Sequence, residues 1–132
     1  MSIKIIDGKD AVLGRLASFA AKEALKGSEI VVVNSESVII SGNLQNIQQE
    51  FHEQRSRFGH SQKGPIHHKA TDKMVKRVIR GMIPNYREGR GREAFKRVKC
   101  YIGIPKEYQD VEKIKLNHQR PRKFSRVNEF LK

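Results

Sequence analysis

The chain has 132 residues and a formal charge of +13 at pH 7, from 27 Lys and Arg against 14 Asp and Glu, with 37% hydrophobic residues. That is one domain's worth of chain, able to bury roughly 65 to 70% of the surface its unfolded form exposes. Cys100 is the only cysteine, which excludes an internal disulfide framework or a thiolate zinc cluster, and no run reaches the roughly 18 apolar residues of a membrane span.

Ile3 to Ile6 is a short apolar run closed by Asp7-Gly8, and it predicts a buried strand ending in a turn. Asp10 is the expected N-cap of a helix whose inner face carries Leu13, Leu16, Ala17, Ala20, Ala21 and Ala24, with Gly27 as its stop. The β-branched runs Ile30 to Val33 and Val38 to Ile40 predict two more strands. A Gln-rich helix from Asn43 to about Gln54 follows, with Leu44, Ile47 and Phe51 as its apolar stripe. Strand, helix, strand, strand, helix is an α/β opening.

From Arg55 to Ala70 no period survives, which predicts a functional loop. Thr71 or Asp72 caps the next helix, where Lys73, Lys76, Arg77 and Arg80 share one arc and Val75, Val78, Ile79 and Met82 the opposite side. Gly81 and Pro84 are expected to end it. A second loop runs over 85–91, with Gly89-Arg90 and Gly91-Arg92 in tandem, and Ala94, Phe95 and Val98 give a further helical stripe. Cys100 to Ile102 is expected as the last short strand, with Cys100 a buried, inert thiol. Beyond Lys106 a weak patch, Val111 to Leu116, precedes a polar arm that is expected to order on a partner.

The charge is regional. Residues 55–99 hold 14 Lys and Arg against 3 acids, whereas the first 54 residues hold 5 against 7. A cationic segment with so few interspersed acids points to a polyanion, since each Lys or Arg set on a phosphate adds affinity by releasing counterions. Gly59, Gly64, Gly89 and Gly91 stand among those bases and allow close backbone approach. RNA is favoured over DNA, because Phe58, Tyr86 and Phe124 suit unstacked bases and no helix-turn-helix, zinc finger or heptad-linked basic helix is present. Individually, each of these rings is expected to pack on its own loop more often than on a base.

Other chemistries fit poorly. Gly8 to Gly14 imitates a phosphate-binding loop, but five residues rather than four separate the glycines, Arg15 and Leu16 stand where Lys and Ser or Thr belong, and Asp10 repels phosphate. His52, His60, His67, His68 and His118 have no carboxylate or thiol at ligand spacing, so no metal or other cofactor is expected. No G-x-S-x-G run is present, and no catalytic residues are assigned. A small nucleotide-using α/β enzyme and a free-standing RNA- or DNA-binding translational-control module stay open as alternatives.

Asp10-Ala11-Val12-Leu13-Gly14-Arg15-Leu16-Ala17-Ser18, Val32-Val33-Asn34 and Arg80-Gly81-Met82-Ile83-Pro84 occur in that order, followed by Gly91-Arg92, Ala94, Arg97-Val98-Lys99 and Tyr101-Ile102-Gly103. Together, across roughly residues 3 to 105, they resemble the large-subunit ribosomal protein L13 family. Ile104-Pro105-Lys106-Glu107-Tyr108 stands where bacterial members carry His-Pro-His, so the archaeal or eukaryotic-cytosolic branch is implied, and the compact length favours the archaeal type. The doubled Gly-Arg leaves either Arg90 or Arg92 as the match to the family's arginine.

The resemblance implies a three-layer α/β/α sandwich around a small mixed sheet of about four strands, with basic loops. The expected division is an RNA-binding domain over 1–105 and a basic C-terminal extension over 106–132. A non-enzymatic protein of the cytoplasmic large ribosomal subunit is implied, binding large-subunit rRNA early in assembly beside neighbouring ribosomal proteins. It has no expected small-molecule substrate, membrane partner or homo-oligomer. The expected RNA-binding residues are Arg55, Arg57, Lys63, Lys69, Lys73, Lys76, Arg77 and Arg80, then Arg87, Arg90, Arg92, Lys96, Arg97 and Lys99. Arg120, Arg122, Lys123 and Arg126 follow in the C-terminal arm.

Overall fold

A computed structural model describes residues 2–56, 69–116 and 120–130, the side chain of Phe130 excepted. Expectations on Arg57, Phe58, Gly59, His60, Lys63, Gly64, His67, His68 and His118 lie outside those residues.

Strand β1 (Ile3–Asp7) leads through helix α1 (Leu13–Leu25) to β2 (Glu29–Val33), and the two strands pair in parallel, Ile5 opposite Val31. β4 (Val98–Cys100) adds to β2 and β5 (Ile114–Lys115) to β1, giving a parallel sheet in the order β4-β2-β1-β5. The antiparallel pairing lies in a separate ribbon of β3 (Ile39–Ser41) with β6 (Phe124–Arg126). This is the expected α/β sandwich, with parallel and antiparallel strands in two sheets.

Strands covered on both faces read as continuous apolar runs, as Ile30 to Val33 does. Ile6, Ile30, Val32 and Val98 face α1, α3 (Thr71–Met82) and α4 (Gly89–Lys96) in the main core. Ile5, Val31 and Val33 face the other way, under Tyr101 and Tyr108, whose rings lie 6.1 Å apart. The alanines of α1 leave short side chains on its buried face, where α3 and α4 both pack.

α1 stops as expected. Gly27, at φ +105°, donates its N–H to Ala24 O (3.1 Å), and Ser28 donates to Glu23 O (3.2 Å), the paired bonds of a left-handed helix end. Its start differs from the reading. Val12 occupies the N-cap with no side-chain bond, while Asp10 sits at φ +61° and accepts Arg120 Nη2 at 2.8 Å and Arg126 Nη2 at 2.9 Å. A carboxylate with two guanidiniums in reach is held by them rather than by helix N–H groups.

Three further expectations change. Gly81 lies within α3, which runs on to Met82; that methionine is 42% exposed, and Met74 takes its place in the core. Val98 opens β4 rather than closing a helical stripe, because its register is set opposite Ile30, and the last expected strand falls at Val98–Cys100. The arm is not detached where it is described. β6 pairs with β3, and Val127, first residue of α5 (Val127–Phe130), is fully buried, so backbone pairing and one apolar anchor offset its ordering. Helix α2 (Leu44–Ser56) buries no residue completely and rests Ile47 and Phe51 on the core.

Glu23 is buried on α1 and paired with Lys4 and with Lys26 (3.2 Å). The hydrogen bonds from Lys4 and Lys26 hold its carboxyl below the usual range. A depressed carboxyl pKa adds stability that is complete above the ordinary value near 4.5 and disappears as pH falls through the folded value. Glu23→Gln should therefore reduce the loss of stability on acidification below that value, read as unfolding midpoint against pH; an unchanged acid limb would show that the pair contributes nothing. Val127→Ala should cost about 1–2 kcal/mol in urea unfolding and speed tryptic cleavage at Arg122 and Lys123. Unaltered cleavage would mean that the C-terminal segment is held by something other than this anchor.

Candidate nucleic-acid interface

The basic helix is α3. Met74, Val75 and Ile79 are buried on one side, which leaves Lys73 exposed and Lys76, Arg77 and Arg80 partly exposed on the other. The arc read from the sequence is real. What periodicity does not disclose is how these charges are held near one another.

Two rings do that work at the junction of α3 and α4. The Tyr86 and Phe95 centroids are 6.2 Å apart, tilted by 53°. Lys76 Nζ stands 5.1 Å from the centre of the Phe95 ring, and over Tyr86 stand the guanidiniums of Arg80 (4.8 Å) and Arg87 (5.5 Å). A ring's negative face attracts a cation, so each charge is steadied without a neutralising carboxylate. Arg87 Nε also donates to the Tyr86 hydroxyl (3.2 Å), and this bond, with the fields of Arg80, Arg87 and Arg77, lowers the phenol's pKa. Tyr86 is thus occupied by the protein's own cations. Adjacency of Tyr86 to Arg87 was the available signal; the approach of Arg80 was not readable.

Helix α4 is fixed by a close approach. Gly91 is buried with its α-carbon against the backbone of Pro84 and Asn85, and a Cβ there would collide with both carbonyl oxygens. Arg97 Nη1 donates to Ala24 O (2.9 Å) and Arg90 Nη2 to Leu25 O (3.4 Å), so two expected RNA contacts reach the last carbonyls of α1. Carbonyls at a helix C-terminus have no intrahelical partner and carry partial negative charge, which suits guanidinium. Arg92 and Lys96 remain exposed. Between the end of α1, the Pro84-Asn85 turn and the start of α4 lies a cavity of about 430 Å³, lined in part by Leu25, Pro84, Asn85, Glu88, Gly89 and Arg90.

The remaining expected residues are dispersed. Lys69 is exposed two residues ahead of α3. Arg55 is half-buried near the end of α2, beside His52, Gln48 and Gln49, and its Nε is buried with no hydrogen-bond partner among the described residues. Lys99 pairs in register with Val31 and so projects from the sheet face opposite the helices, because side chains alternate along a strand. Cys100 turns back toward the helices, and burial pushes its thiol up to about 12, consistent with the inert role expected. Arg120 and Arg126 pair with Asp10 and lie over Phe124 at 6.0 and 5.8 Å; Arg122 and Lys123 are exposed.

The cationic face thus contains Lys73, Lys76, Arg77, Arg80, Arg87, Arg90, Arg92 and Lys96, with Arg97 turned into the fold. Among the described residues no group of three His, Cys, Asp or Glu could hold a metal, and no helix is long and apolar enough to cross a membrane. Arg97→Ala should lower stability by about 1–2 kcal/mol, because Ala24 O loses a charged donor. Arg92→Ala should change it by less than about 0.5 kcal/mol. Equal effects in urea unfolding would contradict the division between them.

A family model described as ribosomal protein L13 matches residues 2–107. Large ribosomal subunit protein uL13 of Methanosarcina barkeri is 45% identical over 111 residues, covering 83% of this chain and 78% of that protein. The uL13 of Methanocaldococcus jannaschii is 46% identical over 118 residues, 86% and 85% of the two chains, and that of Methanosphaera stadtmanae 38% over 131, 97% and 92%. A match over most of the chain, on the same β1-to-β4 segment that carries the cationic face, leaves one conclusion: the chain belongs to the ribosomal protein L13 family.

Proposed function

We propose that this chain is a structural, non-catalytic protein of the cytoplasmic large ribosomal subunit that binds and organises large-subunit rRNA early in assembly, beside other proteins of the subunit. The observation that carries the reading is the set of cations held by Tyr86 and Phe95 across α3 and α4. Cations steadied by rings keep their full charge for a ligand, whereas cations paired with carboxylates do not. Only Asp72, Glu88 and Glu93 interrupt residues 69–97.

Each RNA segment repels the next, and a cationic surface between two of them lowers that repulsion. α1, α3 and α4 share one core with the sheet, so segments bound along α3 and α4 are held at a fixed angle. Arginine suits this work because its planar fork can hold a phosphate with two bonds. Exposed Arg122 and Lys123 extend the charge beside the β3–β6 ribbon, Arg120 and Arg126 share theirs with Asp10, and Arg57 and Lys63 belong to the same proposal.

If about eight phosphates are neutralised, binding of the full chain to large-subunit rRNA should give a log affinity against log salt slope between roughly −5 and −7. Arg92→Ala with Lys96→Ala should make that slope shallower by about 1.5. Excess duplex DNA should compete weakly once salt is raised. A flat plot, or equal competition by DNA, contradicts the reading.

A further inference from the structure

Glu88 is out of place on this face. It is exposed between Arg87 and Arg90, lines the cavity at the start of α4, and makes no side-chain cap bond there. Among the described residues its carboxylate has no ion pair or hydrogen bond. A free carboxylate on a polyanion-binding surface repels phosphate. Such a group meets RNA directly where the RNA presents hydrogen-bond donors, and the donors on RNA are base N–H groups and the 2′-hydroxyl.

We infer that this cavity takes a single unstacked guanine base, with Glu88 accepting from its Watson–Crick edge; the inference rests on the rRNA-binding reading above. Guanine is the base that places two donors, N1–H and the 2-amino group, side by side, which matches the two oxygens of one carboxylate. Adenine and cytosine each set an amino donor beside an acceptor, and uracil sets its one N–H between two acceptors. The rest of the lining agrees. Leu25 and Pro84 offer apolar walls to the ring, and Asn85 adds a side-chain amide that makes no hydrogen bond among the described residues, so its oxygen or its nitrogen can meet the base.

Arg90 stands at the rim, its guanidinium bonded to Leu25 O at a long 3.4 Å, and has donors left for the phosphate of the same nucleotide. At about 430 Å³ the cavity is near the lower end of the roughly 300–1,000 Å³ that small-molecule sites span. A basic protein side chain would also satisfy Glu88. It is disfavoured because Arg90 lines the opening, and Arg87 and Arg92 are exposed within four residues of Glu88, so a second cation is repelled, whereas guanine is neutral.

The test uses the full chain and short oligouridylates carrying one central guanosine, inosine or adenosine, with an intact large-subunit rRNA fragment as a parallel arm. Wild type should bind the guanosine oligomer about fivefold more tightly than the adenosine one, with inosine, which lacks the 2-amino group, between them. Glu88→Gln should bring the guanosine-to-adenosine ratio close to one. A ratio near one in wild type, or a preference that survives Glu88→Gln, overturns the guanine site while rRNA binding stands. Binding of an arginine-rich peptide that Glu88→Gln abolishes overturns it in favour of a protein occupant. Failure to bind the rRNA fragment as well would overturn the rRNA reading itself.

Discussion

Like charges on one small surface repel, and the arrangement of α3 and α4 answers that repulsion with rings and backbone carbonyls instead of acids. Lys76 is set over Phe95, and Arg80 and Arg87 over Tyr86, while Arg90 and Arg97 reach the carbonyls at the end of α1. Each of these partners steadies a cation without cancelling it. The same surface built on ion pairs would hold its shape as well and have far less charge to offer.

Helix α1 is the pivot for this arrangement. Its inner alanines accommodate α3 and α4 on one side of the parallel sheet, its C-terminal carbonyls receive two arginines, and buried Glu23 fastens it to β1 through Lys4. Ahead of its first turn, Asp10 gathers Arg120 and Arg126 and so ties the C-terminal segment to the start of the helix. Gly91 lets the first turn of α4 lie directly on the Pro84-Asn85 backbone, which forms one side of the cavity beside Glu88. Exposed charge and buried packing therefore meet on the same few elements.

Much of this was legible in the sequence because period and burial coincide. The alanine face of α1, the strand of Ile30 to Val33 and the cationic arc of α3 all follow from spacing, and so did the resemblance to the L13 family, which the family match bears out. Features that depend on distant partners were not legible. Asp10 reads as a cap until two arginines more than a hundred positions away are brought to it. Lys99 and Arg97 read as members of one basic run, yet strand alternation sends Lys99 to the opposite face and a helix end captures Arg97. The C-terminal arm has too little apolar surface to predict order, and a single buried valine with a three-residue ladder supplies what composition does not show.

The central claim is that the α3–α4 face meets RNA in the assembled particle. Acetylation of surface amines, compared by mass spectrometry between the free chain and intact large subunits, addresses it directly. Lys73, Lys76 and Lys96 should react in the free chain and become protected in the subunit, and removing the RNA with nuclease under conditions that keep the proteins together should restore their reactivity. Equal reactivity of these three amines in both states would place that face in solvent and contradict the account.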